Sequence, residues 1–136
     1  MNRLTKKLAE LKKENKKALV SYLVAGDPDI ESTLELMKLL VDSGTDIIEI
    51  GVPFTDPIAE GPIIQKAHDR ALENNISLKT IYEIADKFRD FDNETPLVLM
   101  GYLNTFIFHK QVIEENNNNV IDSILVVDIP GELNLK

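Results

Sequence analysis

The stretch from Asp46 to Ala67, DIIEIGVPFTDPIAEGPIIQKA, decides how the chain reads. Asp46–Ile50 is a short apolar run closed by Gly51, which predicts a buried strand. Val52–Gly61 then reads as a loop. Pro53, Pro57 and Pro62 fall within it or at its end, and each fixes φ and stiffens the chain. Pro62 suits the first position of a helix over Ile63–Asn74. Strand, stiff loop and helix therefore follow one another.

The same unit recurs on both sides. Upstream, Ala18–Ala25 is an apolar run ended by the turn residues Gly26-Asp27-Pro28. A helix follows, with Asp29 as its cap, Ile30, Leu34, Met37 and Val41 on one face, and Gly44 just past its end. Downstream, Ser77 caps a helix whose apolar face is Leu78, Ile81, Ala85 and Phe88. Pro96 opens a strand over Leu97–Met100, closed by Gly101. A weaker helix spans Asn104–Glu115, then a loop at Asn116–Asn119, then a fourth strand over Ile121–Val127 ahead of Pro130-Gly131. Helical connections of this length serve parallel crossovers. Nearly all-apolar strands predict a sheet covered on both faces. The class is α/β with parallel strands. Gly26, Gly51, Gly101 and Gly131 all stand at or beyond strand C-termini, the end at which such folds bind ligands.

One residue breaks the pattern. Glu49 lies inside a strand expected to be buried, where an unpaired carboxylate costs several kcal/mol or shifts its pKa upward. Proton chemistry is one reason to keep it; a buried arginine partner or an exposed face is the other reading. The loop behind it carries Asp56 and Glu60. Two carboxylates in different environments can divide acid and base roles, whereas a solvated loop would hold Glu60 only beside the positive end of the Pro62 helix. Tyr22 and Tyr102 read as packing residues or as walls of an aromatic pocket. Asp128 reads as a catalytic group, a helix cap or a structural acceptor. His68, in His68-Asp69-Arg70, reads as a surface histidine, and His109 has no metal-ligand partner nearby. No phosphate-loop, dinucleotide or zinc-protease motif is present.

Composition bounds the rest. The chain has 136 residues, a formal charge of −8 and no cysteine, which fits one domain over 1–136 and excludes disulfides and thiolate chemistry. The negative charge opposes general nucleic-acid binding. No apolar run is long enough to cross a membrane and no secretory signal is visible, so the expected location is cytoplasmic. The first 17 residues hold seven basic side chains against two acids. Leu4, Leu8 and Leu11 share one helical stripe, which favours an amphipathic helix with a solvated basic face over an anion- or membrane-binding arm.

Residues 47–72, IIEIGVPFTDPIAEGPIIQKAHDRAL, together with SYLVAGDP (21–28), PLVLMGYLN (96–104) and SILVVDIP (123–130), strongly resemble the tryptophan synthase alpha subunit family. Order and spacing agree across essentially the whole chain. The resemblance implies a (β/α)8 TIM barrel, of which this chain covers about the first four β/α units, with residues 1–17 forming an N-terminal helix that closes the bottom. It implies retro-aldol cleavage of indole-3-glycerol phosphate to indole and glyceraldehyde 3-phosphate, a lyase step of tryptophan biosynthesis. No cofactor or metal is needed in this subunit. Indole passes to a beta subunit carrying pyridoxal phosphate, in a complex of two alpha and two beta chains. Glu49 matches the catalytic glutamate and Glu60 falls on the catalytic aspartate. Tyr22, Met100, Tyr102, Val127 and Ile129 fall where the family lines its indole pocket. Pro53, Asp56, Pro57 and Asp128 face the beta subunit, with Pro130 nearby.

Two departures stand out. Glu60 is one methylene longer than the family's aspartate, which moves its carboxylate by roughly 1 Å, a misplacement that can cost on the order of 100-fold in rate. The family's barrel also has eight units and about twice this length, and its phosphate-binding loops follow later strands. Four open strands leave two unpaired edges, so the isolated chain is expected to be marginal or to pair with a second copy. An alternative function is a non-catalytic alpha-type module that docks on the beta subunit.

Overall fold

The computed structural model describes residues 2–116 and 119–131. Helix α1 (Arg3–Lys13) is followed by strand β1 (Val20–Val24), α2 (Ile30–Asp42), β2 (Ile47–Gly51), α3 (Pro62–Glu73), α4 (Leu78–Phe91), β3 (Leu97–Gly101), α5 (Leu103–Phe108), α6 (Lys110–Glu115) and β4 (Ser123–Val126). The four strands are parallel and in chain order, β1-β2-β3-β4. Residues 117 and 118 of the expected Asn116–Asn119 loop, and the last five residues of the expected domain, lie outside the described residues.

Local chemistry sets the helix ends. Asp29 accepts the Ser32 N–H and Ser77 accepts the Thr80 N–H, each satisfying an otherwise unpaired donor. Pro62 opens α3. Gly44, with φ of +94°, supplies the left-handed step that ends α2. The expected helix over Asn104–Glu115 is instead two short helices broken at His109, where ψ swings to 22° and no side chain caps the second. The outer strands are shorter than expected. Leu19 lies outside β1: its N–H donates to the Asp46 carboxylate, and its carbonyl accepts the Asp46 and Ile47 N–H groups. Asp122 likewise precedes β4.

The core lies on one face of the sheet. Ile48, Ile50, Leu97 and Leu99 are buried against Met37 of α2 and Ile81, Ala85 and Phe88 of α4. Burying each such side chain stabilises by about 1.5–3 kcal/mol. The expectation that both faces are covered does not hold among the described residues. Strand register puts Val20, Tyr22, Glu49, Val98 and Leu125 on the opposite, inner face. That face forms an open trough of about 440 Å³ floored by Glu49 and Val98 and bounded by Leu4 and Ile129. Val20 and Leu125 are 47 % and 43 % exposed. Among the described residues α3 covers only the end of that face at Tyr22 and Val24, so the apolar character of the rest answers to a wall that these residues do not supply.

Helix α1 runs across the N-terminal ends of the strands. Arg3 bonds the Asn93 carbonyl (2.7 Å) and pairs with Asp122, Lys6 pairs with Glu94 (2.8 Å), and Lys7 approaches Asp46 at 3.9 Å. These partners immediately precede β3, β4 and β2. Much of the basic face is thus spent on the sheet, and Leu4 points into the trough. Asp122 is the hub: its carboxylate accepts the Leu97 N–H (3.0 Å), the Arg3 N–H (3.2 Å) and the buried Arg89 guanidinium (3.0 Å). Burial lowers Arg89 to about 10, with Asp122 and Asp92 opposing that loss.

Candidate active site

The loop between β2 and α3 is fastened along its length. The Val52 N–H bonds the Met100 carbonyl at 2.8 Å. The Phe54 N–H donates to His68 Nδ1 at 3.0 Å, and the Ala59 N–H donates to the Tyr102 hydroxyl at 3.0 Å. Phe54 stacks on the Tyr102 ring at 4.9 Å. Gln65 Nε2 donates to the Glu60 carbonyl at 2.9 Å. Three prolines and these bonds leave the loop little freedom, so the Glu60 carboxylate is held rather than solvated: its side chain is 7 % exposed.

Glu60 bridges two elements. Tyr102 Oη, at the start of α5, donates to Glu60 Oε2. Oε1 lies 3.5 Å from Nε2 of His68, which is fully buried on α3. Burial, reinforced by the hydrogen bond to Glu60, pushes the Tyr102 hydroxyl up to about 12. Glu60 therefore lies between Tyr102 and His68.

Glu49 is half-buried on the inner face of β2, between Tyr22 and Val98 in register. Its carboxyl borders the trough, and burial alone raises its pKa. Among the described residues no side chain donates a hydrogen bond to it. Among the described residues no arginine pairs with it, and its face is the open one; the group is partly desolvated. The Tyr22 hydroxyl is buried without a partner, and burial first, then the charges of Glu60 and Glu49, hold its proton on. Tyr22 thus lies within electrostatic reach of both carboxylates. Its ring crosses Gly51 so closely that a Cβ there would stand 2.2 Å from the hydroxyl oxygen.

The remaining expected residues are placed unevenly. Ile129 borders the trough with Glu49, and Met100 is half-buried on the same face of β3. Val127 is half-buried, its N–H spent on the Gly101 carbonyl. Tyr102 is buried and engaged with the loop rather than open to the trough. Asp128 accepts the Leu103 N–H at 2.8 Å, so of its three readings the structural acceptor at the start of α5 is the one observed. Pro53 and Pro57 are buried and Asp56 is exposed. Around them Ile58 and Phe108 are 74 % and 84 % exposed, and Pro53, Thr55, Phe108 and His109 line a shallow groove.

His68 is the residue that the sequence reading placed wrongly. It is not at the surface. Ile64, Ala67, His68 and Ala71 form the buried face of α3, packed on Tyr22 and Val24. Desolvation lowers its pKa, opposed by Glu60 and Asp69. The signal was present: positions 64, 67, 68 and 71 follow the helical i, i+3, i+4, i+7 spacing. Among the described residues no cluster of His, Asp and Glu has the makings of a metal site. No described helix is long and apolar enough to cross a membrane.

A family model described as the tryptophan synthase alpha chain matches residues 8–136. Tryptophan synthase alpha chains of Hydrogenovibrio crunogenus and Thiobacillus denitrificans are each 46 % identical, over 97 % and 99 % of this chain. The chain spans about half of each, 49 % and 50 %. A crystal structure of the alpha subunit from Legionella pneumophila superposes with a TM-score of 0.92 at 43 % identity, covering 97 % of this chain and 51 % of that one. A crystal structure of the tryptophan synthase complex from Pyrococcus furiosus matches with a TM-score of 0.75 at 43 % identity, over 83 % of this chain and 47 % of that one. Four parallel β/α units in register with half of such a barrel, carrying Glu49 on the inner face of the second strand, leave one assignment: the chain belongs to the tryptophan synthase alpha chain family, whose fold is the TIM barrel.

Proposed function

We propose that this chain carries the acid–base residues for retro-aldol cleavage of indole-3-glycerol phosphate. The observation that supports it most is Glu49, a carboxyl raised by burial, without a partner, at the edge of an apolar trough. A carboxyl raised in this way holds a proton more readily than a solvated one and can pass it on. Glu49 delivers a proton to the indole carbon that bears the glycerol chain and takes one from the hydroxyl on the adjacent carbon. The carbon–carbon bond breaks, and indole and glyceraldehyde 3-phosphate leave. In this reading Glu60, its carboxylate held by Tyr102, is the acceptor for the indole N–H. Tyr22, Met100, Val127 and Ile129 wall the indole. No cofactor is needed in this subunit, and the expected setting is the cytoplasm.

The partner in this proposal is a beta subunit that carries pyridoxal phosphate and consumes the indole. The exposed Ile58 and Phe108 flanking Asp56 and the Pro53 groove suit an apolar docking face. The same face suits a second reading, a docking module without turnover. The test is indole release from indole-3-glycerol phosphate by the purified chain, alone and with a beta subunit. Release above the no-protein rate in either setting supports the enzyme. Binding to the beta subunit with no release supports the module.

A further inference from the structure

We propose that His68 is a positioning residue for Glu60, a role that rests for its catalytic meaning on the acid–base reading above. Its ring joins the two sides of the site. Nδ1 accepts the Phe54 N–H at 3.0 Å, so that nitrogen carries no proton in the neutral ring. The proton then sits on Nε2, which faces Glu60 Oε1 at 3.5 Å. The backbone of the loop thereby selects the tautomer that points a donor at the carboxylate. His68 is fully buried, and Nε2 and Oε1 face one another across 3.5 Å, neither atom having a hydrogen-bond partner. Tyr102 holds the other oxygen, Oε2, from the opposite side.

The arrangement answers the problem set by the longer side chain. Glu60 has one more rotatable bond than aspartate and needs more restraint to present an oxygen at a fixed place. Tyr102, at the start of α5, donates to one oxygen, and the His68 ring of α3 stands beside the other. Because the same imidazole ties Phe54, any movement of the loop is felt at the carboxylate. The charged groups that act on the ring are Glu60 and Asp69.

The test has an arm that needs no turnover. The chain has two histidines, His68 and His109, so ¹⁵N-histidine spectra resolve them, with His68→Asn giving the assignment. The expected spectrum of His68 shows a bare Nδ1 and a protonated Nε2. Glu60→Gln is expected to move its titration midpoint downward, since Glu60 favours the imidazolium and Asp69 remains. A protonated Nδ1, or a midpoint indifferent to Glu60→Gln, overturns the proposal. The second arm is kinetic. His68→Asn keeps an acceptor near Nδ1 and deletes the Nε2 donor; His68→Gln does the reverse. The expected loss for Asn is on the order of 10- to 100-fold in kcat with KM nearly unchanged, and Gln restores most of it. Equal losses in both variants overturn the positioning role. A wild-type chain that releases no indole overturns the acid–base reading instead, and the spectra still decide the His68–Glu60 tie.

Discussion

Replacing Asp122 by alanine removes the point at which α1, β3 and β4 meet. The carboxylate is almost fully buried and accepts the Leu97 N–H, the Arg3 N–H and Arg89. Its loss leaves the Leu97 N–H without a partner in an apolar setting, a cost of about 1–3 kcal/mol. It also leaves the buried Arg89 charge without its nearest counter-ion, a change that typically costs about 3–5 kcal/mol. Arg89 keeps the carbonyls of Val120, Asp92 and Thr95, which softens the second loss. The expected total is about 4 kcal/mol, a large share of the roughly 5–15 kcal/mol that a domain of this size has. Urea unfolding followed by circular dichroism reads it directly. With a slope near 2 kcal/mol/M the midpoint falls by about 2 M. Asp122→Asn keeps an oxygen for the Leu97 N–H and falls by less. A loss below about 1 kcal/mol for the alanine variant would refute the reasoning, because removing the acceptor of the buried Leu97 N–H and Arg89 guanidinium cannot cost so little.

Other outcomes follow from the site. Gly51→Ala drives a Cβ into the Tyr22 hydroxyl and is expected to destabilise by about 1–3 kcal/mol in thermal unfolding; an unchanged melting curve contradicts the close approach. Tyr22→Phe deletes a buried hydroxyl with no partner, so urea unfolding is expected to show equal or slightly higher stability, and a loss above about 1 kcal/mol would mean that the hydroxyl is bonded. His68 has a lowered pKa in the folded chain, so it binds its proton later than in the unfolded chain. Its contribution is complete above the ordinary histidine range and is lost as pH falls through 6.5 toward the folded value; His68→Asn should flatten that part of the stability profile. Glu49 has the opposite sign: its raised pKa means stability declines as pH rises from 4.5 through the folded value. Glu49→Gln is therefore expected to unfold at higher urea than wild type at neutral pH, and a lower midpoint contradicts the desolvation account.

Much of this was legible in the sequence because it is local. Apolar runs closed by glycine, caps at Asp29 and Ser77, and Pro62 at a helix start each act within a few residues. Glu49 was legible as an exception to the pattern around it. What escaped reading depends on distance or on context. The Asp122–Arg89–Arg3 hub joins residues 33 and 119 positions apart, and periodicity carries no trace of such pairing. His68 was misread because its neighbours Asp69 and Arg70 are polar, although its helical spacing with Ile64, Ala67 and Ala71 marked the buried face. The break at His109 was hidden because the flanking residues are compatible with a single helix. The bare inner face was misread for a different reason. Strand composition records what the whole barrel buries, whereas these residues supply only one wall.

The most direct measurement is indole release from indole-3-glycerol phosphate by the chain with its beta subunit, wild type against Glu49→Gln. Glutamine keeps the size of the side chain and removes the proton that the proposed step transfers. The account predicts a fall of about 10²–10⁴-fold in kcat while binding to the beta subunit is retained. Cleavage by Glu49→Gln at a rate near that of wild type would contradict it.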